Sequence, residues 1–297
     1  MGKGRHIAER TTGIMSRHTQ VLGILVLLQC VHLANMARAQ AAPDLSLVQR
    51  ALAAELHNAR DLSHPMRYML RKSSPRLTTT KAIIETREGA VARLISVNDR
   101  PLTAADEQKE QARLETLRNN PESQRSRKRR EDADARRALK VLRALPTAFL
   151  YHFAGTIEGP HGALDRFTFT PNPAYDPPDL ETQVLTAMAG DIWIDPVHER
   201  IVRLEGHLER DINIGWGIIG HLDKGGWIQI EQAEVTPHQW RVVRFQMQMT
   251  GRILFRSKNF DTLEQETTFA PVPADLTYVQ AIQMLSQEPP SLSLAQH

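Results

Sequence analysis

Cysteine is almost missing from this chain of 297 residues, where Cys30 is the only one. If the first 39 residues are removed on export, no thiol remains. Disulfides, cysteine-based zinc sites and cysteine nucleophiles are then excluded together. Aromatic residues make up only 5%. Also lacking are an H-E-x-x-H pair, histidines at metal-ligand spacing and a G-x-S-x-G elbow. These gaps weigh against an enzyme, and neither a cofactor nor a metal is expected. Long apolar runs are scarce too. The strongest, Val21–Leu28, is shorter than the ~20 residues that cross a bilayer.

That run is instead built as a secretory signal. Lys3, Arg5, Arg10 and Arg17 precede it, and Ala37-Arg38-Ala39 follows as an A-x-A cleavage site. Residues 1–39 are read as a signal peptide cut after Ala39 or Ala41, which places the mature protein in the periplasm. The alternative is lipid anchoring at Cys30, but Gln29 beside it is not the small residue such a peptidase requires. Taking the signal's five Lys/Arg and one Glu from totals of 37 and 34 leaves 32 against 33. The excess positive charge therefore belongs to the signal, and no nucleic-acid partner is expected.

Residues 40–297 read as a single domain. Asp44 can cap a first helix carrying Leu45, Val48, Leu52 and Leu56 at helical spacing. β-rich segments follow at Met66–Lys72, Leu77–Arg87 and Val91–Val97, punctuated by turn residues. Residues 102–145 interrupt them with charged helical sequence. Within it, 125–143 hold nine Lys/Arg, read either as a solvated helix or as a patch for a membrane surface or an envelope protein.

From Gly190 onward apolar and polar residues alternate over long stretches. Val202, Leu204, Leu208, Ile212 and Ile214 share one parity. So do Val243, Phe245, Met247, Met249, Ile253 and Phe255, with arginines and glutamines between them. Period two sustained this long predicts long antiparallel strands with one apolar face. About eleven strand candidates and two or three helices give a mainly β (α+β) fold. The expected architecture is a strongly curved antiparallel sheet, an open β-barrel, lidded by helices.

Gly215-Trp216-Gly217-Ile218-Ile219-Gly220 matches the dinucleotide pattern G-x-G-x-x-G, which requires a helix to begin inside it. Here Gly225-Gly226 and the strand-like Trp227–Glu231 come next. The glycines are therefore read as a corner between strands.

The ordered segments GDIWIDPVHERIVRLEGHL, GWGIIGHLDKGGWIQIEQAEV and HQWRVVRFQMQMTGRILFRSKNF, clearest over 190–269, resemble the periplasmic outer-membrane lipoprotein-sorting (LolA/LolB-like) superfamily. The resemblance implies an open barrel with a cavity for acyl chains, and a non-enzymatic protein binding lipid or lipoprotein. Envelope signalling or assembly through a protein partner is the alternative reading, with a hydrolase as a third. Read from strand pattern, the ligand-contacting candidates are Val243, Phe245, Met247, Met249, Phe255 and Trp216. The competing reading is that they fill a closed core.

Overall fold

The computed structural model describes residues 45–214, 220–253 and 256–287. Helix α1 (Leu45–Asn58) leads into strands β1 (Met66–Ser73), β2 (Thr78–Ile84), β3 (Val91–Val97) and β4 (Arg100–Pro101). Helices α2 (Ala104–Arg118) and α3 (Pro121–Ala148) occupy the charged segment. Strands β5 (Phe149–Gly159) and β6 (Gly162–Pro171) follow, then α4 (Leu180–Gln183) and a 3-10 turn, Val184–Ala187. The remainder is β7 (Met188–Asp195), β8 (Arg200–Leu208), β9 (Ile212–Ile214), β10 (Gly220–Leu222), β11 (Trp227–Thr236), β12 (Gln239–Ile253), β13 (Arg256–Pro271) and α5 (Tyr278–Gln287).

These strands form one antiparallel sheet of 13, in the order β4-β3-β2-β1-β13-β12-β11-β8-β7-β6-β5. Eleven strands lie on that path, while β9 and β10 pair beside β12. The sheet is curved and open, with β4 and β5 at its edges. Residues 215–219, which hold most of the glycine motif, lie outside the described residues. The strands flanking them pair antiparallel, Gly220 opposite Ile214.

Directly paired residues share a face, so the register traces rows across the sheet. One row runs Phe153, Phe167, Ile192, Leu204, Ile230, Phe245, Glu264 and Lys72. It is apolar from β5 to β12 and becomes charged at β13 and β1. Over the apolar part sit α1, through Leu47, Val48, Ala51 and Leu52, and the last turns of α3, through Ala144, Leu145 and Ala148. The spacing of the α1 residues makes one stripe of that helix, which is why it folds onto the sheet. The facing glycines Gly190 and Gly206 belong to this side. A Cβ on Gly190 would lie 1.9 Å from the Glu205 carbonyl oxygen, so only glycine fits there.

A second cluster joins Ala82, Ile84, Val91 and Ile95 to Leu114 and Leu117 of α2 and to Ala281, Ile282 and Leu285 of α5, with Met69 against it. Met69 and Lys72 are three residues apart on β1 and so point to opposite faces. Helices therefore cover both sides of the sheet, α1 and α3 on one and α2 and α5 on the other.

The charged insertion owes its helices to good ends. The Thr103 side chain accepts from the Asp106 amide at the start of α2, and Asn120 accepts from Ser123 ahead of Pro121 in α3. The first two-thirds of α3 is polar and mostly exposed. It docks where Gln124 donates to the Glu88 and Gly89 carbonyls, Arg127 to the Ala90 carbonyl, and Glu131 accepts from the Ala90 amide.

Candidate functional site

Three hairpin turns, β5–β6, β7–β8 and β11–β12, end at the same edge of the sheet, as the antiparallel register requires. Near that edge, besides Val235 of β11 at the turn itself, β5, β8 and β12 each carry an extra, unpaired residue. Ala154 falls between the pairs Phe153–Phe167 and Gly155–Arg166, and Val202 between Trp193–Arg203 and Ile194–Ile201. Val243 falls between Glu231–Arg244 and Gln232–Val242. A β-bulge bends its strand and increases the local twist. Three at a similar level curl this end of the sheet.

A cleft of 650 Å³ lies there, reaching the face opposite to α1. Ile157, Leu164, Trp193, Val202, Trp240 and Val243 give it apolar walls, and two of these are the bulge valines. Trp193 belongs to the polar-face row Arg166, Trp193, Arg203, Glu231, Arg244. The Arg203 and Arg166 guanidiniums sit 5.2 and 5.7 Å from its ring centroid. Arg203 also donates to Glu205 at 2.8 Å. Trp240 lies 5.8 Å from the His198 ring and 5.8 Å from the Arg200 guanidinium.

The β7–β8 turn is organised by Asp195, which is buried and accepts from the Val197 and His198 amides at 2.8 and 3.0 Å. Its other oxygen is 2.7 Å from His198 Nδ1. Burial pushes the Asp195 carboxyl upward, but these hydrogen bonds outweigh it and hold its pKa below the ordinary value. The same contact raises the pKa of the exposed His198. Behind Trp240, Arg200 reaches Glu55 of α1 at 3.2 Å, both side chains nearly buried. Burial raises the Glu55 pKa in spite of the neighbouring guanidinium.

The sequence-predicted contact residues divide between the two faces. Val243 lines the cleft. Phe245, Met247 and Met249 face α1 and α3, where Met249 is buried in the core and Met247 packs against it. Phe245 is half-buried between Ile230 and Glu264. Trp216 and Phe255 lie outside the described residues. Strict alternation had put Val202 and Val243 on the face of Leu204 and Phe245, and the bulges turn both into the cleft. His198 and Trp240 had not been read as site residues. The spacing Asp195-Pro-Val-His198, a turn-forming aspartate with a ring three residues on, is the one signal that pointed there.

The basic run of α3 is largely neutralised by nearby carboxylates. Arg125 and Arg129 pair with Glu122, Lys128 with Asp132, Arg137 with Asp134, and Lys140 with Asp179 and Glu181. Burial lowers the pKa of Arg127, which donates to the Ala90 carbonyl. Among the described residues, Arg130, Arg136 and Arg143 form no ion pair. No helix among them is long and apolar enough to cross a membrane, and no group of three His, Cys, Asp or Glu could hold a metal ion.

No family model and no curated protein matches the chain. Among solved structures it is similar to a crystal structure described as an outer membrane lipoprotein-sorting protein domain from Vibrio parahaemolyticus. Identity is 9% and the TM-score 0.32, over 81% of this chain and 100% of that one. The fold described above rests on strand order and register.

Proposed function

We propose that this is an exported, non-catalytic binding protein that holds the acyl chain of a lipid or lipoprotein, and that the chain lies in the hairpin-end cleft. The observation that carries the reading is a 650 Å³ cleft with two tryptophans and four aliphatic side chains in its walls. Its size is that of ligand sites, which run to about 300–1,000 Å³. A chain held there meets aliphatic and indole surface, and each buried methylene gains about 0.8 kcal/mol. The helix-covered face supports the reading less well, because Phe167, Phe169, Ile192 and Leu208 already fill it. Export through the signal peptide at 1–39 and residence in the periplasm belong to the same proposal.

A binding role is further supported by the surroundings of His198. Among the described residues lining the cleft there is no Ser, Thr, Cys or Lys for the Asp195–His198 pair to activate.

Titration with 1-monopalmitoylglycerol, an acyl chain with a neutral head, tests the reading. Trp193 and Trp240 are two of the four tryptophans, so intrinsic fluorescence reports occupancy. Saturable binding is expected, lost in Val243→Lys and kept in Met247→Leu on the other face. Folded protein that binds no such chain, and yields none on extraction after periplasmic purification, would refute it.

A further inference from the structure

We propose that the cleft selects an acyl chain whose head is a cation, an organic ammonium, over the same chain with an anionic head. This rests on the acyl-chain reading and adds the chemistry of the head group.

Four carboxylates line the cleft: Glu158, Asp195, Glu231 and Glu234. Asp195 is matched by His198. The other three form no ion pair among the described residues. Glu231 accepts only from the neutral Gln229 side chain, at 2.6 Å, and Glu234 from the His238 backbone amide. The cleft's arginine does not answer them: Arg203 is held by Glu205, outside the cleft, and rests on Trp193. Arg200, beside Trp240, is turned toward Glu55. His161 is the other titratable side chain in the wall. Arg244 also flanks Glu231 across the strand pair but donates to the neutral Gln246 and does not line the cleft, so among the lining residues carboxylates outnumber the arginine and disfavour an anionic head.

The aromatic walls favour the same class of head. Indole faces attract cations, ammonium groups included, when the charge sits within about 6 Å of the ring. Trp240 and Trp193 already accept guanidiniums and an imidazole at such distances, which shows that these rings take cationic neighbours. An ammonium between these indoles and Glu231 or Glu234 would leave its chain against Ile157, Leu164 and Val243.

Palmitoylcholine and palmitate carry the same chain with opposite head charges. At low salt, palmitoylcholine is expected to bind about tenfold tighter or better, with the advantage shrinking as salt screens the carboxylates. The double variant Glu231→Gln, Glu234→Gln, shown folded by urea unfolding, should reduce the preference to about twofold. Equal affinity for the two probes, or tighter palmitate binding, overturns the head-group inference alone. Failure of both probes and of 1-monopalmitoylglycerol overturns the acyl-chain reading with it. An unchanged preference in a folded double variant also overturns the role given to these carboxylates.

Discussion

Glu266 on β13 gives the sharpest test of the electrostatics inside the sheet. It lies opposite Leu70 of β1, with Glu85, Glu264, Arg241 and Tyr68 as its charged and titratable neighbours. Burial, reinforced by repulsion from Glu85 and Glu264, pushes its pKa from 4.5 up to about 7, and Arg241 offsets only part of this. Between those two values the folded protein keeps a proton that the unfolded chain releases. The stabilisation is complete below pH 4.5 and is lost as pH rises to 7. At 1.36 kcal/mol per pKa unit the loss is about 3 kcal/mol. Glu266→Gln keeps the shape of the protonated side chain and should not share this loss. Urea unfolding of both proteins at pH 5 and pH 8 measures it. For m near 3 kcal/mol/M, the variant's midpoint should move from near wild type at pH 5 to about 1 M above it at pH 8. Midpoints that run in parallel, to within about 0.2 M, would refute the half-buried, proton-holding Glu266.

Three further outcomes are expected. Gly190→Ala should cost about 2 kcal/mol or more in thermal unfolding, because its Cβ meets backbone. Gly206→Ala, whose Cβ meets the flexible Met188 Sδ at 2.9 Å, should cost clearly less, and equal losses would contradict the packing. Arg200→Met should cost about 3–5 kcal/mol by stranding the buried Glu55, and pairing it with Glu55→Leu should recover most of that. Additive losses in urea unfolding would show the pair is not coupled. In an NMR titration, Asp195→Asn should bring His198 down toward the ordinary imidazole range, since the Asp195 contact holds it up. A His198 that titrates unchanged would contradict that.

Much of the fold was legible because period two and period 3.6 are direct consequences of backbone geometry. Leu47, Val48, Ala51 and Leu52 are one helical stripe, and Met188 to Ile194 one strand. The eleven expected strands correspond in number to the eleven on the main path. The short β10 escapes such a reading because three residues are too few to show a period, whereas Ile212 and Ile214 of β9 were part of the alternation. The cleft was not legible for a different reason. Its valines depend on bulges, and a bulge is a shift of register against a neighbouring strand, which nothing within one strand's sequence records. Val243 was identified as a contact residue, but its inward direction was inferred from an alternation that Val242–Arg244 breaks. Trp240 and Trp193 come together only because the β11–β12 and β7–β8 turns share an edge.

The pairing of β1 with β13 also sets the order of events when the chain folds. Lys72 meets Glu264 across 192 residues, and β1 has no other neighbour than β2 and β13. Strands β1 to β4, near the start of the described residues, therefore join the sheet only once almost the whole chain is available. Such long-range closure is slow, because loop entropy is lost before any contact compensates it. A ribosome-bound chain ending before residue 256 lacks β13 and cannot complete this sheet.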